Sequence, residues 1–72
     1  MDIKWEDDSE ISVRVEEDGA VVLSGNKAGL LTLSRMMADL AECEAGEHVH
    51  LDEGNGLEEK SGELILEKKY IV

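Results

Sequence analysis

Apolar side chains in this chain recur with a period of two, change to a helical period, and change back. That switch constrains the fold more than any other feature. Ile11, Val13 and Val15 alternate with Ser12, Arg14 and Glu16, the spacing of a strand with one buried face. Asp18-Gly19 signals a hairpin turn, and Ala20 to Ser24 returns as a second strand. Ser24-Gly25-Asn26 breaks that strand, and the Asn26 side-chain oxygen can cap a helix by accepting from a free N–H of its first turn. From Lys27 to about Glu44, Leu30, Leu33, Met37, Leu40 and Ala41 form a helical stripe flanked by Leu31 and Met36. Gly29 falls in the first turn, and Gly46 ends the helix in its C-cap region. Glu47 to Glu53 alternates again, with Val49 and Leu51 on one side and His48, His50 and Asp52 on the other. Gly54-Asn55-Gly56 reads as a turn, Leu57 to Gly62 as a charged loop, and Glu63 to Lys69 as a last strand with Leu64 and Leu66 inward.

The order β-β-α-β-β predicts one α+β domain over residues 1–72, a mainly antiparallel four-stranded sheet with one helix packed on one face. Ile3 and Trp5 also alternate with polar neighbours and could add a short N-terminal strand.

Charge decides what such a domain can touch. The chain has 18 acidic and 7 basic residues, a formal net charge of -11. Disorder is the first alternative at that charge, but Leu, Ile and Val make up about a quarter of the chain, above the disordered range, and they are patterned. An anionic surface repels nucleic acid and anionic lipid, so neither is an expected partner. The acidic N-terminus lacks the apolar core of a signal peptide, and no apolar run approaches the ~20 residues of a membrane span. The expected location is the cytoplasm. One Cys excludes an internal disulfide.

Few residues suggest chemistry. His48, His50 and Asp52 would project from one side of a strand, in a spacing that resembles the first ligands of binuclear zinc hydrolases. A hydrolytic zinc site needs about three placed ligands and an open position, and these are the only two histidines. A metal-binding module is therefore the remoter alternative to a solvated face or a face that meets a partner. Gly25-Asn26-Lys27-Ala28-Gly29 opens a helix but lacks the ending of a phosphate loop. Asp52-Glu53-Gly54-Asn55-Gly56 puts glycines where a calcium loop needs oxygen ligands. The serines belong to no nucleophile motif, and Cys43, flanked by Glu42 and Glu44, reads as a small hydrophobe at the helix end. No catalytic residue and no cofactor is expected. Trp5 is either core or an interface anchor. A homodimer that pairs sheet edges or helix-free faces, with Ile65 and Trp5 in contact, is a further alternative. The acidic clusters, among them Glu6-Asp7-Asp8, Glu16-Glu17-Asp18, Asp52-Glu53 and Glu58-Glu59, fit either solubility or recognition of a basic partner.

Ser24-Gly25-Asn26-Lys27-Ala28-Gly29-Leu30-Leu31, then His48-Val49-His50-Leu51-Asp52-Glu53, then Gly56-Leu57-Glu58-Glu59, taken in that order, resemble immunity protein 32 of the bacterial polymorphic toxin systems. The likeness runs from about Val21 to Lys68 and includes the Glu63 to Glu67 strand. It implies a small, non-enzymatic α+β protein that binds and neutralises a cognate toxin inside the producing cell. It brings no catalytic residues. The resemblance and the charge together point to His48, His50, Asp52, Glu53, Glu58 and Glu59 as candidate toxin contacts, with Trp5 added on its own account as an interface anchor, and to a basic, nuclease-type toxin.

Overall fold

A computed structural model describes residues 5–70. The elements are β1 (Ile11–Val15), β2 (Val21–Gly25), α1 (Lys27–Ala41), β3 (His48–Leu51) and β4 (Leu64–Glu67). The expected order and α+β class are found, with β1, β3 and β4 a little shorter than their alternating runs and β2 shifted by one residue. Ile3 lies outside the described residues, and Trp5 stands in no strand.

β1 and β2 form an antiparallel hairpin in which Val13 faces Leu23 and Val15 faces Val21. Its turn is longer than a two-residue Asp-Gly connection. Gly19 donates to the Glu16 carbonyl at 2.9 Å, Glu16 donates to Ala20 at 2.7 Å, and Gly19 takes φ +90°. That is a three-residue loop with glycine at the left-handed position. β3 and β4 form the second antiparallel pair, with His48 opposite Glu67 and His50 opposite Ile65.

The single four-stranded sheet is replaced by two separate two-stranded sheets. The cause lies in the segment after β3. Glu58 donates to the Ile11 carbonyl and Gly62 to the Val13 carbonyl, both at 2.8 Å, and Val13 donates to Ser61 Oγ at 3.2 Å. The outer edge of β1 is thus taken by residues 58–62 and not by another strand. That segment spends four residues where β1 advances two. A turn closed by Ser61 N–H to Glu58 O and a left-handed Lys60 at φ 67° absorb the difference, so no regular ladder forms.

One core serves both hairpins. Ile11 and Val13 meet Leu33 and Met36 of the helix, Val49 and Leu51 of β3, and Leu57, with Leu64 and Leu66 packed against them. The helix buries Gly29, Thr32, Leu33, Met36 and Leu40. This corrects the expected stripe: Leu30 and Met37 are about half exposed. The helix is turned toward its Gly29 side because a Cβ there would stand 2.2 Å from the Glu10 carbonyl oxygen. Only glycine allows that backbone approach, and it seats the helix where Thr32 and Met36 point inward. Thr32 Oγ1 in turn accepts from the Glu6 N–H at 3.0 Å. The helix also ends earlier than its pattern suggested, with Glu42 as C-cap. Gly46 belongs to the turn before β3, where its N–H donates to the Lys68 carbonyl.

Asn26 is the N-cap, as the sequence indicated, and it does more. Its Oδ1 accepts from the Gly29 N–H at 2.7 Å and from the Glu10 N–H at 3.0 Å, while its Nδ2 donates to the Asp8 carbonyl at 2.8 Å. One side chain ties the N-terminal segment to the strand-to-helix corner.

Candidate functional site

β3 places Val49 and Leu51 in the core, so alternation turns His48 and His50 outward. Register adds Ile65 and Glu67 from β4 to the same outer face. The two imidazoles meet edge to face, with ring centroids 4.9 Å apart. His48 Nδ1 lies 3.1 Å from the Gly46 carbonyl. A carbonyl only accepts, so in neutral His48 Nδ1 carries the hydrogen and Nε2 is left as an acceptor. Ile65, 49% exposed, sits across from His50 as an apolar contact point. The hairpin therefore presents a flat, mixed surface: two imidazoles, one aliphatic side chain and one carboxylate.

Asp52 does not continue this row. The strand ends at Leu51, and the Asp52 carboxylate accepts from the Gly54 N–H at 2.9 Å while its backbone carbonyl accepts from Asn55 and Leu57. This is an Asx turn that organises the start of the loop. Asn55 Nδ2 donates back to the His50 carbonyl at 2.7 Å. Glu53 accepts from the Lys60 N–H at 3.0 Å and closes the loop on itself. Among the described residues, no group of three or more His, Cys, Asp or Glu side chains is placed to share a metal ion.

The remaining candidates sit around the same loop. Trp5 packs against it: a Cβ on Gly56, which has φ +96°, would come within 2.2 Å of the indole ring. Trp5 is still 38% exposed. Glu58 flanks an open groove of about 200 Å³ shared with Glu10, Ser12 and Ser24 on the outer side of the first hairpin. Glu59 stands exposed in the turn that follows. The structure thus pairs His48 with His50, gives Asp52 and Glu53 loop-building roles, and brings Trp5 to the loop. Glu67 was not singled out in the sequence; only the strand register puts it beside His48.

The acidic charge is left largely uncompensated. Among the described residues two ion pairs form, Arg14 with Glu16 at 3.0 Å and Arg35 with Glu6, and both are exposed. No helix among those residues is long and apolar enough to cross a membrane.

No curated protein and no solved structure is detectably similar to the chain. A protein-family comparison does match. Residues 20–69, which hold β2, α1, both histidines, the β3–β4 loop and β4, fit the family described as Immunity protein 32. The chain belongs to the Immunity protein 32 family.

Proposed function

We propose that this protein neutralises a cognate toxin by laying the outer face of β3 and β4, with the loop that joins them, against a basic surface of that toxin. Membership of an immunity family carries toxin neutralisation in general. The chemistry of the partner is argued from one observation: 18 acidic side chains face 7 basic ones, and two ion pairs form among the described residues. Carboxylates left in water at the rim speed encounter with a cationic surface and select against anionic ones. His50 and Ile65 would supply the less polar centre of the contact, and Glu53, Glu58, Glu59 and Glu67 its charged border. Trp5 would extend it along the loop. A nuclease domain fits the role, since its substrate cleft is built to receive a polyanion. Inhibition by occlusion needs no catalytic group of the immunity protein, and the reading assigns none.

The test is calorimetric titration with the toxin domain encoded beside this gene. Affinity should fall as salt rises, because exposed charges are screened beyond ~8 Å at physiological ionic strength. Glu59→Lys, which removes no hydrogen bond of the fold, should weaken binding about ten-fold, or ~1.4 kcal/mol. Absence of binding at low salt, or binding indifferent to salt, would overturn the proposal.

A further inference from the structure

The two strands of the first hairpin treat their outer edges differently. In an antiparallel ladder, bonded pairs alternate with pairs whose N–H and C=O groups point away from the partner strand. Glu16 N–H to Ala20 O and Asn26 N–H to Glu10 O fix the phase at both ends of the hairpin. The outward groups therefore belong to Ile11, Val13 and Val15 on β1, and to Val21, Leu23 and Gly25 on β2. On β1, the Ile11 and Val13 carbonyls and the Val13 N–H are satisfied by residues 58–62. On β2, no backbone or side-chain group among the described residues pairs with the outward groups of Val21, Leu23 or Gly25. This edge carries no Lys, no Pro and no bulge, the devices that normally keep an edge strand from pairing. Its side chains are apolar and exposed, Val21 at 62% and Leu23 at 38%, with Leu30 beside them at 50%.

We propose that β2 pairs antiparallel with β2 of a second copy of this chain, about a two-fold axis at Leu23, to make a continuous four-stranded sheet. The edge is complementary to itself in this one register. Leu23 meets Leu23, and Val21 of each copy meets Gly25 of the other, so all outward groups of both strands pair. A Cβ on Gly25 would lie 3.3 Å from Leu30; without one, Val21 of the second copy can settle against Leu30. The same register brings Lys27, at the amino end of the helix, beside Gly19 of the other copy, next to its acidic Glu17-Asp18. Positive charge and the helix N-terminus thus meet carboxylates twice in the dimer. A foreign strand could fill the backbone positions, but the edge holds no feature that selects one, whereas its own sequence answers it.

The dimer and the toxin complex respond to salt in opposite senses, which separates the two proposals. Each copy carries a net charge of -11, so two copies repel and screening favours their union. Sedimentation of the full-length protein over a concentration series should show a monomer–dimer equilibrium that tightens between about 0.05 and about 0.5 M salt. The amides of Val21, Leu23 and Gly25 should gain protection from hydrogen exchange as the dimer forms. Leu23→Lys sets two like charges face to face and should weaken the dimer at least about ten-fold. Lys27→Glu, on an exposed side chain outside the core, should weaken it about three-fold. Ile65→Lys, on the other hairpin, should leave it unchanged. A monomer at every concentration and salt overturns the proposal. So does a dimer that Ile65→Lys breaks and Leu23→Lys spares, or protection of the β2 amides that appears only when toxin is added.

Discussion

The first hairpin is closed by residues 16–20, the second by residues 52–63. The short connection is a single turn that needs little beyond Gly19 and the Asp18 carboxylate, which accepts from the Ala20 N–H at 2.9 Å. The long one must organise its own backbone. It does so through Asp52, Glu53 and Asn55, and it then uses its far half to cover β1. The second hairpin therefore supplies structure to the first, and among the described residues nothing comparable runs the other way. Loop length is what makes this possible, since a tight turn has no spare backbone to lend.

The two hairpins share one core, and truncating a side chain at its centre should cost most. Leu51 is 0% exposed, and Leu51→Ala should destabilise the protein by about 2–5 kcal/mol in urea unfolding. Val15→Ala, in the first hairpin at 67% exposure, should stay within about 0.5 kcal/mol. Equal losses would erase the contrast. The loops offer the next test. Gly56→Ala combines a left-handed φ with a clash against Trp5, and should cost about 2–3 kcal/mol and shift the tryptophan emission. Gly19→Ala meets open space, and should cost about 1–2 kcal/mol with no change in emission.

A finer probe addresses the loan of backbone. Ser61→Ala leaves the Val13 N–H without its acceptor, and should lower stability by about 1 kcal/mol while speeding exchange at Val13 more than at Val22. If both amides respond alike, residues 58–62 do not cover β1 separately from the rest. The smallest stability effect belongs to the outer face. His48→Ala and His50→Ala should each move the melting free energy by less than about 0.5 kcal/mol, while a toxin titration with the same variants reads the loss of the contact.

Most of the local structure could be read from the residues. The alternation of Ile11 with Val13 and of Val49 with Leu51 placed both buried faces, and the Asn26 cap followed from its position before a helical run. What escaped was set by contacts distant in the chain. The helix stripe of Leu30 and Met37 looked more apolar than Thr32 and Met36, yet Gly29 turned the helix by docking on Glu10, a partner that periodicity cannot name. The division of the sheet depended on Lys60 adopting a left-handed conformation that its residue type does not announce. At the candidate site, alternation set His48 and His50 outward together, but it carried Asp52 one step too far. Its carboxylate was claimed by the Gly54 N–H, a local competition that ends the strand.

The bond between Val13 and Ser61 joins residues 48 positions apart. During synthesis from the N-terminus, β1 and β2 can zip together early, because their turn is local. The outer rim of β1 stays bare until residues 58–62 have also left the ribosome. Until then the first hairpin has open strand edges on both sides. Residues 58–62 then close one of those two edges, and the dense negative charge, which keeps nascent copies apart, is the safeguard in the interval.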